Sequence, residues 1–187
     1  MLKIIGLSSR KRSGKDSIGQ YLEREHGYTI DYFAKPLKEA VRNIFHWSKA
    51  HTDGPVDKGE PDLKEAIDEF WGKSPRLVMQ LFGTEVGRQI DVEVWVKSLQ
   101  LRVQQGLASG HVKYVVTDVR FPNERDMIRR LGGVVWRVER PSLGASGDLH
   151  PSETALDNLT DWDAVIVNDG SFEDLYLKVQ EALSSSK

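Results

Sequence analysis

Apolar residues along this chain change their spacing several times, and each change marks an element. Leu2, Ile4, Ile5 and Leu7 crowd into a short run, the pattern of a short apolar strand. From Lys15 the spacing turns helical through Ile18, Tyr21 and Leu22, and Gly27 supplies a stop after His26. Tyr28 to Phe33 reads as a second strand, and Pro36 suits the first turn of a helix that continues to Phe45. Residues 47–61, with Gly54, Pro55, Gly59 and Pro61, read as a loop. Ser74-Pro75 forms an N-cap and first residue for a helix through Leu77, Val78, Leu81 and Phe82, interrupted or bent at 83–88. Trp95, Val96, Leu99, Val103 and Leu107 define a longer amphipathic helix over 92–108.

The second half alternates more regularly. Val112 to Thr117 is a dense β-branched run, the following helix reaches Leu131, and Gly132-Gly133 ends it. Val134 to Val138 is the next strand, Glu139 to Thr160 is loop-like or only partly helical, Ala164 to Val167 is a last strand and Phe172 to Leu183 a last helix. The order β-α-β, helical insertion, β-α-β, loop, β-α predicts an α/β fold with a parallel five-stranded sheet flanked by helices. One domain over 1–187 is expected, with a helical insertion at 36–110 and a short lid-like loop at 140–160.

Composition narrows the function classes. At 187 residues, with 39% hydrophobic and 29% charged residues, the chain can bury a substantial core. A net charge of −2 gives no overall pull toward nucleic acid or an anionic membrane, so basic function must be local. Across 53–69, seven acids stand against two lysines, which reads as a solvated face at the periphery. Cysteine is absent, which excludes disulfides and thiolate chemistry. No segment approaches about 18 apolar residues and nothing reads as a signal peptide, so the expected location is cytoplasmic.

The local basic site is the stretch between the first strand and the first helix. Arg10, Lys11, Arg12 and Lys15 lie within six residues, with Ser13-Gly14 before the lysine. Strand, basic glycine loop, helix is the context of a phosphate-binding P-loop: loop amides and the helix N-terminus converge on one point, and glycine lets the backbone approach phosphate oxygens. Ser9 stands where that motif has its first glycine, and Asp16 where it has a hydroxyl residue, with Ser17 following. A basic surface turn before an ordinary helix is the alternative.

In open parallel sheets ligands sit beyond the carboxyl ends of the strands. Residues 8–15, 34–38, 118–124, 139–141 and 168–170 are all expected on that edge. They bring Lys35, Arg120 and Arg140 to the same crevice as the first loop, with Asp16 and Asp118 as carboxylates suited to Mg²⁺. Asp118 reads equally as a metal-site acid or as a cap for the turn that follows it. Arg120 reads as a phosphate clamp or as a surface partner of Glu124, and Arg88 as an acceptor-phosphate ligand or an exposed helical arginine. Arg140 leaves a strand for a polar loop, a hinge that brings it onto the transferred group. The five histidines show no metal-ligand spacing, and no Gly-x-Ser-x-Gly elbow exists.

Together, Ser9-Arg-Lys-Arg-Ser-Gly-Lys-Asp-Ser17, Phe33-Ala-Lys-Pro-Leu-Lys38, Phe82-Gly-Thr-Glu-Val-Gly-Arg88, Thr117-Asp-Val-Arg-Phe-Pro-Asn-Glu124, Val138-Glu-Arg-Pro141 with His150-Pro-Ser-Glu153, and Val167-Asn-Asp-Gly-Ser171 resemble the phage-type deoxynucleoside monophosphate kinases. The resemblance covers almost the whole chain in order. It implies an adenylate-kinase-like, P-loop NTPase-type fold and transfer of the γ-phosphate of ATP to a deoxynucleoside monophosphate, with Mg²⁺. It makes Asp16 a family feature, with Ser17 supplying the hydroxyl and Asp118 completing the metal site. It assigns residues 10–17 to the ATP phosphates and Asn168, Asp169 and Gly170 to the adenine side. Phe33, Ala34, Lys35, Arg88, Arg120 and Glu153 fall to the acceptor nucleotide, and Arg140 to the lid. A kinase for another small phosphorylated acceptor such as phosphomevalonate, which shares the Lys-Asp loop, and a non-catalytic nucleotide-binding module are the competing readings. Stable nucleic-acid binding is not expected from a single compact cationic cluster. The 92–108 helix serves a homodimer interface or a core equally well.

Overall fold

The computed structural model describes residues 2–55, 61–144 and 150–185. In chain order the elements are β1 (Lys3–Ser9), α1 (Lys15–His26), β2 (Thr29–Asp31), α2 (Lys35–Phe45), α3 (Lys49–Asp53), α4 (Pro75–Gln80), a π-helical turn (Leu81–Val86), α5 (Gly87–Ile90) and α6 (Val94–Ala108). These are followed by β3 (Lys113–Val116), α7 (Pro122–Arg130), β4 (Val134–Glu139), a 3₁₀ turn (Pro141–Leu143), α8 (Pro151–Thr154), β5 (Ala164–Val167) and α9 (Phe172–Ser185). Contacts divide the chain into one unit of residues 1–33 and 96–187 and a second of residues 34–95.

The first unit is built on a five-stranded sheet of order β2-β3-β1-β4-β5, with every pairing parallel. Parallel strands need helical crossovers, and both faces are covered. Ile5, Leu7, Val115, Trp136, Val138 and Ile166 from the strands pack with Ile18 and Leu22 of α1 and Leu175 and Val179 of α9. Gly6, at the centre of β1, meets α7 instead: a Cβ there would lie 2.5 Å from Ile128. Gly27 closes α1 in the left-handed region at φ 67° and donates to the Glu23 carbonyl, as a helix-stopping glycine does.

In the second unit, Leu37, Val41, Trp47, Val78 and Met79 form a separate core. Phe45 stacks on Trp47 at 4.6 Å, and the Trp47 indole donates to Asp68 at 2.8 Å. Ser74 caps α4 by accepting from the Leu77 amide, as the Ser-Pro pair predicts. The interruption expected at 83–88 is a π turn that widens the helix without ending it. The Gly83 carbonyl accepts the Trp95 indole at 2.7 Å, and Trp95 packs where a Gly87 Cβ would approach it to 2.5 Å.

Several boundaries differ from the sequence reading. β2 covers only Thr29–Asp31, because the chain beyond Asp31 bonds to side chains. Residues 47–61 hold a short helix, α3, rather than a loop throughout: Ser48 and His51 cap it reciprocally. Gly59 and the other residues at 56–60 lie outside the described residues, as do 145–149 of the expected lid. The second unit is shorter than the expected 36–110, since α6 from Val96 onward, with Val96, Leu99 and Val103 buried, is counted with the sheet unit. Some of the described acids of 53–69 are engaged rather than merely solvated: Asp53 pairs with Lys38 at 2.6 Å and Glu65 with Arg76 at 2.6 Å. Hydrogen bonds from Trp47, then from the Trp71 and Phe70 amides, hold the Asp68 carboxyl below its usual pKa.

Candidate active site

Because the strands are parallel, the segments that follow each of them leave one edge of the sheet unit. The β1–α1 segment turns sharply there. Arg12 has φ 63° and Gly14 φ 102°, backbone states that place successive amides on one side and that only glycine adopts without strain. Gly14 also has no room for a side chain, since a Cβ would lie 2.4 Å from the Asn168 amide nitrogen. Asn168 follows β5 and clamps the loop: its side chain donates to the Ser13 carbonyl at 2.9 Å, and its own amide donates to the Glu139 carbonyl at 2.7 Å. The Ser9 and Ser13 hydroxyls are buried and have no hydrogen-bond partner among the described residues. Buried hydroxyls are nearly always satisfied, so this pair suits a ligand or water oxygen. The Lys15 ammonium lies 2.6 Å from Asp16, whose side chain is 74% exposed.

The segments after β4 and β5 support this loop. Arg140 donates to the Arg12 carbonyl at 3.4 Å. Arg10 pairs with Asp157 at 3.2 Å, and Arg137 of β4 reaches the other oxygen of Asp157 at 3.1 Å while also donating to the Ser8 hydroxyl at 3.2 Å. Asp169 pairs with Lys178 at 2.5 Å, and that hydrogen bond holds its carboxyl below the usual range. Gly170 is pressed against Asp174, which would lie 2.5 Å from its Cβ.

The β3 end is organised by charge. Asp118 Oδ1 accepts the Phe33 amide at 2.7 Å, a bond to the end of β2 rather than to its own turn. The capping role falls instead to Glu124, which is 3% exposed and accepts the Arg120 and Phe121 amides at 2.8 and 3.1 Å. The Arg120 guanidinium does not pair with Glu124 in these bonds; it donates to the Glu153 carboxylate and to the Ser152 carbonyl. Burial alone would lower the Arg120 pKa, but Glu153, Asp118 and Glu124 together hold it above the usual arginine value.

Thus the first unit brings residues 10–17, Phe33, Asp118, Arg120, Arg140, Glu153 and Asn168 to Gly170 to segments that leave one sheet edge. Ala34, Lys35 and Arg88 belong to the second unit, where Arg88 donates to the Val92 carbonyl at 3.1 Å. Arg137 and Asp157 were missed by sequence reasoning, as were Asp31 and Arg102, since nothing in local spacing signals a bond between residues so far apart. No group of three or more histidine or acidic residues placed to hold a metal occurs among the described residues. Asp16, Ser17 and Asp118 carry the oxygen types that Mg²⁺ takes, an ion bound through one or two carboxylates that completes its shell with phosphate and water.

Residues 60–179 match the family described as deoxynucleotide monophosphate kinase. The deoxynucleotide monophosphate kinase of Escherichia phage RB69 is 38% identical, with 97% of this chain and 100% of the relative covered. That of Enterobacteria phage T4 is 27% identical, covering 97% of this chain and 99% of the relative. Among solved structures, TT1252 from Thermus thermophilus superposes with a TM-score of 0.50 at 20% identity, covering 98% of this chain and 97% of that one. A sugar kinase from Janibacter gives 0.51 at 14% identity, covering 98% and 95%. Both show likeness of fold alone.

Proposed function

The chain belongs to the deoxynucleotide monophosphate kinase family and is a phosphotransferase of nucleotide metabolism, and we propose that it uses ATP with Mg²⁺ and that the β1–α1 loop is its donor site. The observation that carries this reading is the loop itself: a glycine at φ 102° clamped by Asn168, with two buried serine hydroxyls lacking partners among the described residues, at the N-terminus of α1. Amides, hydroxyls and helix dipole there favour a polyphosphate.

The Lys15–Asp16 pair is exposed and worth only about 0–1 kcal/mol, so a phosphate oxygen readily replaces Asp16 as the partner of Lys15. Asp16 is then released beside Ser17. Mg²⁺, held by Asp16, Ser17 and Asp118 together with phosphate oxygens, would neutralise charge on the transferring group. In the transfer, an oxygen of the acceptor's phosphate attacks the γ-phosphorus, the bond to the β–γ bridging oxygen breaks, and ADP leaves with that electron pair. Lys15 offsets the charge on the donor side, Arg120 with Glu153 supports the acceptor side, and Arg140 approaches from the segment after β4. Phe33, Ala34, Lys35 and Arg88 are assigned to the acceptor, residues 10–17 to the ATP phosphates and Asn168 to Gly170 to the adenine. Catalysis of this kind asks mainly for positioning and charge neutralisation. The assigned location is the cytoplasm.

A panel of deoxynucleoside and ribonucleoside monophosphates, with phosphomevalonate as a control, in a coupled ADP-release assay tests the reading. ADP formed stoichiometrically with a deoxynucleoside diphosphate is expected. ATP binding without product for any deoxynucleotide overturns it.

A further inference from the structure

At the end of β2, one arginine holds three groups at once. Arg102 of α6 donates from Nε to Asp31 Oδ2 at 3.1 Å and from Nη2 to Asp31 Oδ1 at 3.1 Å. Nη2 also donates to the Tyr32 carbonyl at 2.8 Å, and Nη1 to the Ser98 hydroxyl at 3.0 Å. Asp31 is 5% exposed and closes a tight local turn by accepting the Tyr32 amide at 2.7 Å. Its carbonyl accepts the Thr117 amide at 3.1 Å, the last rung between β2 and β3. The next residue after this clamped pair is Phe33, whose amide donates to Asp118.

A buried ion pair gives little net stability against an apolar replacement, because both ions must be desolvated. Its specific yield here is geometric. A planar guanidinium that spans both carboxylate oxygens and the Tyr32 carbonyl fixes the orientation of the Tyr32–Phe33 peptide unit. That in turn fixes where the Phe33 N–H points, and so which oxygen of Asp118 is held. We infer that Arg102 is a positioning residue for phosphoryl transfer, acting through Asp31, Tyr32 and the Phe33 amide to orient the Asp118 carboxylate. The inference rests on the reading of Asp118 as a site carboxylate.

Lysine keeps the charge of Arg102 but cannot span three acceptors in one plane. The test compares wild type, Arg102→Lys, Asp118→Asn and the double variant. It measures kcat and KM in the coupled assay, ATP affinity with and without Mg²⁺ by titration calorimetry, and thermal melting. Misplacement of a site group lowers turnover more than acceptor binding, so Arg102→Lys is expected to lower kcat about tenfold or more with the acceptor KM within about twofold. It should also diminish the gain in ATP affinity that Mg²⁺ confers, a readout independent of turnover. With Asp118 replaced, the same arginine change should alter kcat less than about twofold, because residues that act as a unit are non-additive. An equal factor in both backgrounds, or a lowered melting temperature with kcat and the Mg²⁺ effect unchanged, overturns the role of Arg102. Near-normal kcat in Asp118→Asn alone instead overturns the reading of Asp118. Should the lysine variant not fold, Asp31→Asn carries the same cycle; loss of fold in both assigns the pair to stability and ends the proposal.

Discussion

Two segments that leave neighbouring strands, the one after β1 and the one after β3, handle charge in opposite ways. After β1, Lys15 is held by an adjacent aspartate that is 74% exposed, and two serine hydroxyls are buried without partners among the described residues. After β3, the groups are answered within the protein: Asp118 by the Phe33 amide, Glu124 by two amides, Arg120 by Glu153 and the Ser152 carbonyl. An exposed pair costs little to break, whereas removing one member of a buried pair strands the other charge. The first segment is therefore suited to hand its donors to an incoming anion. The second is a rigid floor whose geometry is set before any ligand arrives.

The sharpest way to break that contrast is Lys15→Ala. Loss of a charge-stabilising donor at a reacting group costs about 10²–10³-fold in kcat, and a loss in that range is expected for Lys15. Melting should shift by less than about 2 °C, since the lost pair is exposed. Parallel turnover and calorimetry check both halves. Turnover close to wild type would remove Lys15 from the mechanism, and a large loss of stability would remove the distinction between the segments.

Glu153→Ala probes the other side. Arg120 would keep the Ser152 carbonyl but lose its carboxylate partner, and breaking such a pair from one side costs roughly 3 kcal/mol. For a chain of this length that corresponds to a melting temperature lower by roughly 6–12 °C, with turnover reduced as well because the arginine is no longer held. A variant that melts like wild type would show that the charges after β3 are as loosely committed as those after β1.

The same contrast explains what could be read from the sequence. Features that depend on neighbours in the chain were legible: the Gly27 stop, the Ser74-Pro75 cap, the β5 run at Ala164–Val167 and the cationic loop at 10–15. Each follows from local period, a missing side chain or a capping hydroxyl. The sheet followed too, because alternation of strand and helix leaves few arrangements. What escaped was chemistry closed over long separations. Arg120 meets Glu153 33 residues away, Asp118 meets Phe33 85 away, and Asn168 meets Ser13 155 away. Spacing placed Glu124 four residues from Arg120 and offered it as one of two partners, the other a phosphate; Glu124 does serve Arg120, but through the backbone amide, leaving the guanidinium for Glu153. β2 is short for a similar reason, since Arg102 of α6 takes the Tyr32 carbonyl that a continuing strand would use.

The smallest expected effect lies at Asp161, a carboxylate paired with two arginines of α7. Asp161 accepts from Arg125 at 2.8 Å and from Arg129 at 2.9 Å while 61% exposed. The Arg129 hydrogen bond, with the charges of Arg125 and Arg129, holds its carboxyl below the usual value. A carboxyl depressed in the folded state contributes stability that is complete above its unfolded pKa, about 3.9, and is lost as pH falls through the lower folded value. Asp161→Asn should therefore melt below wild type by no more than about 2 °C at pH 7, and the gap should close as pH falls through the lowered folded value. Added salt should close it at neutral pH as well, because exposed pairs are screened. A gap that persists in acid or in high salt would mean that Asp161 is tied into the buried network after β3, and the boundary between committed and loosely held charge would then move outward along α7.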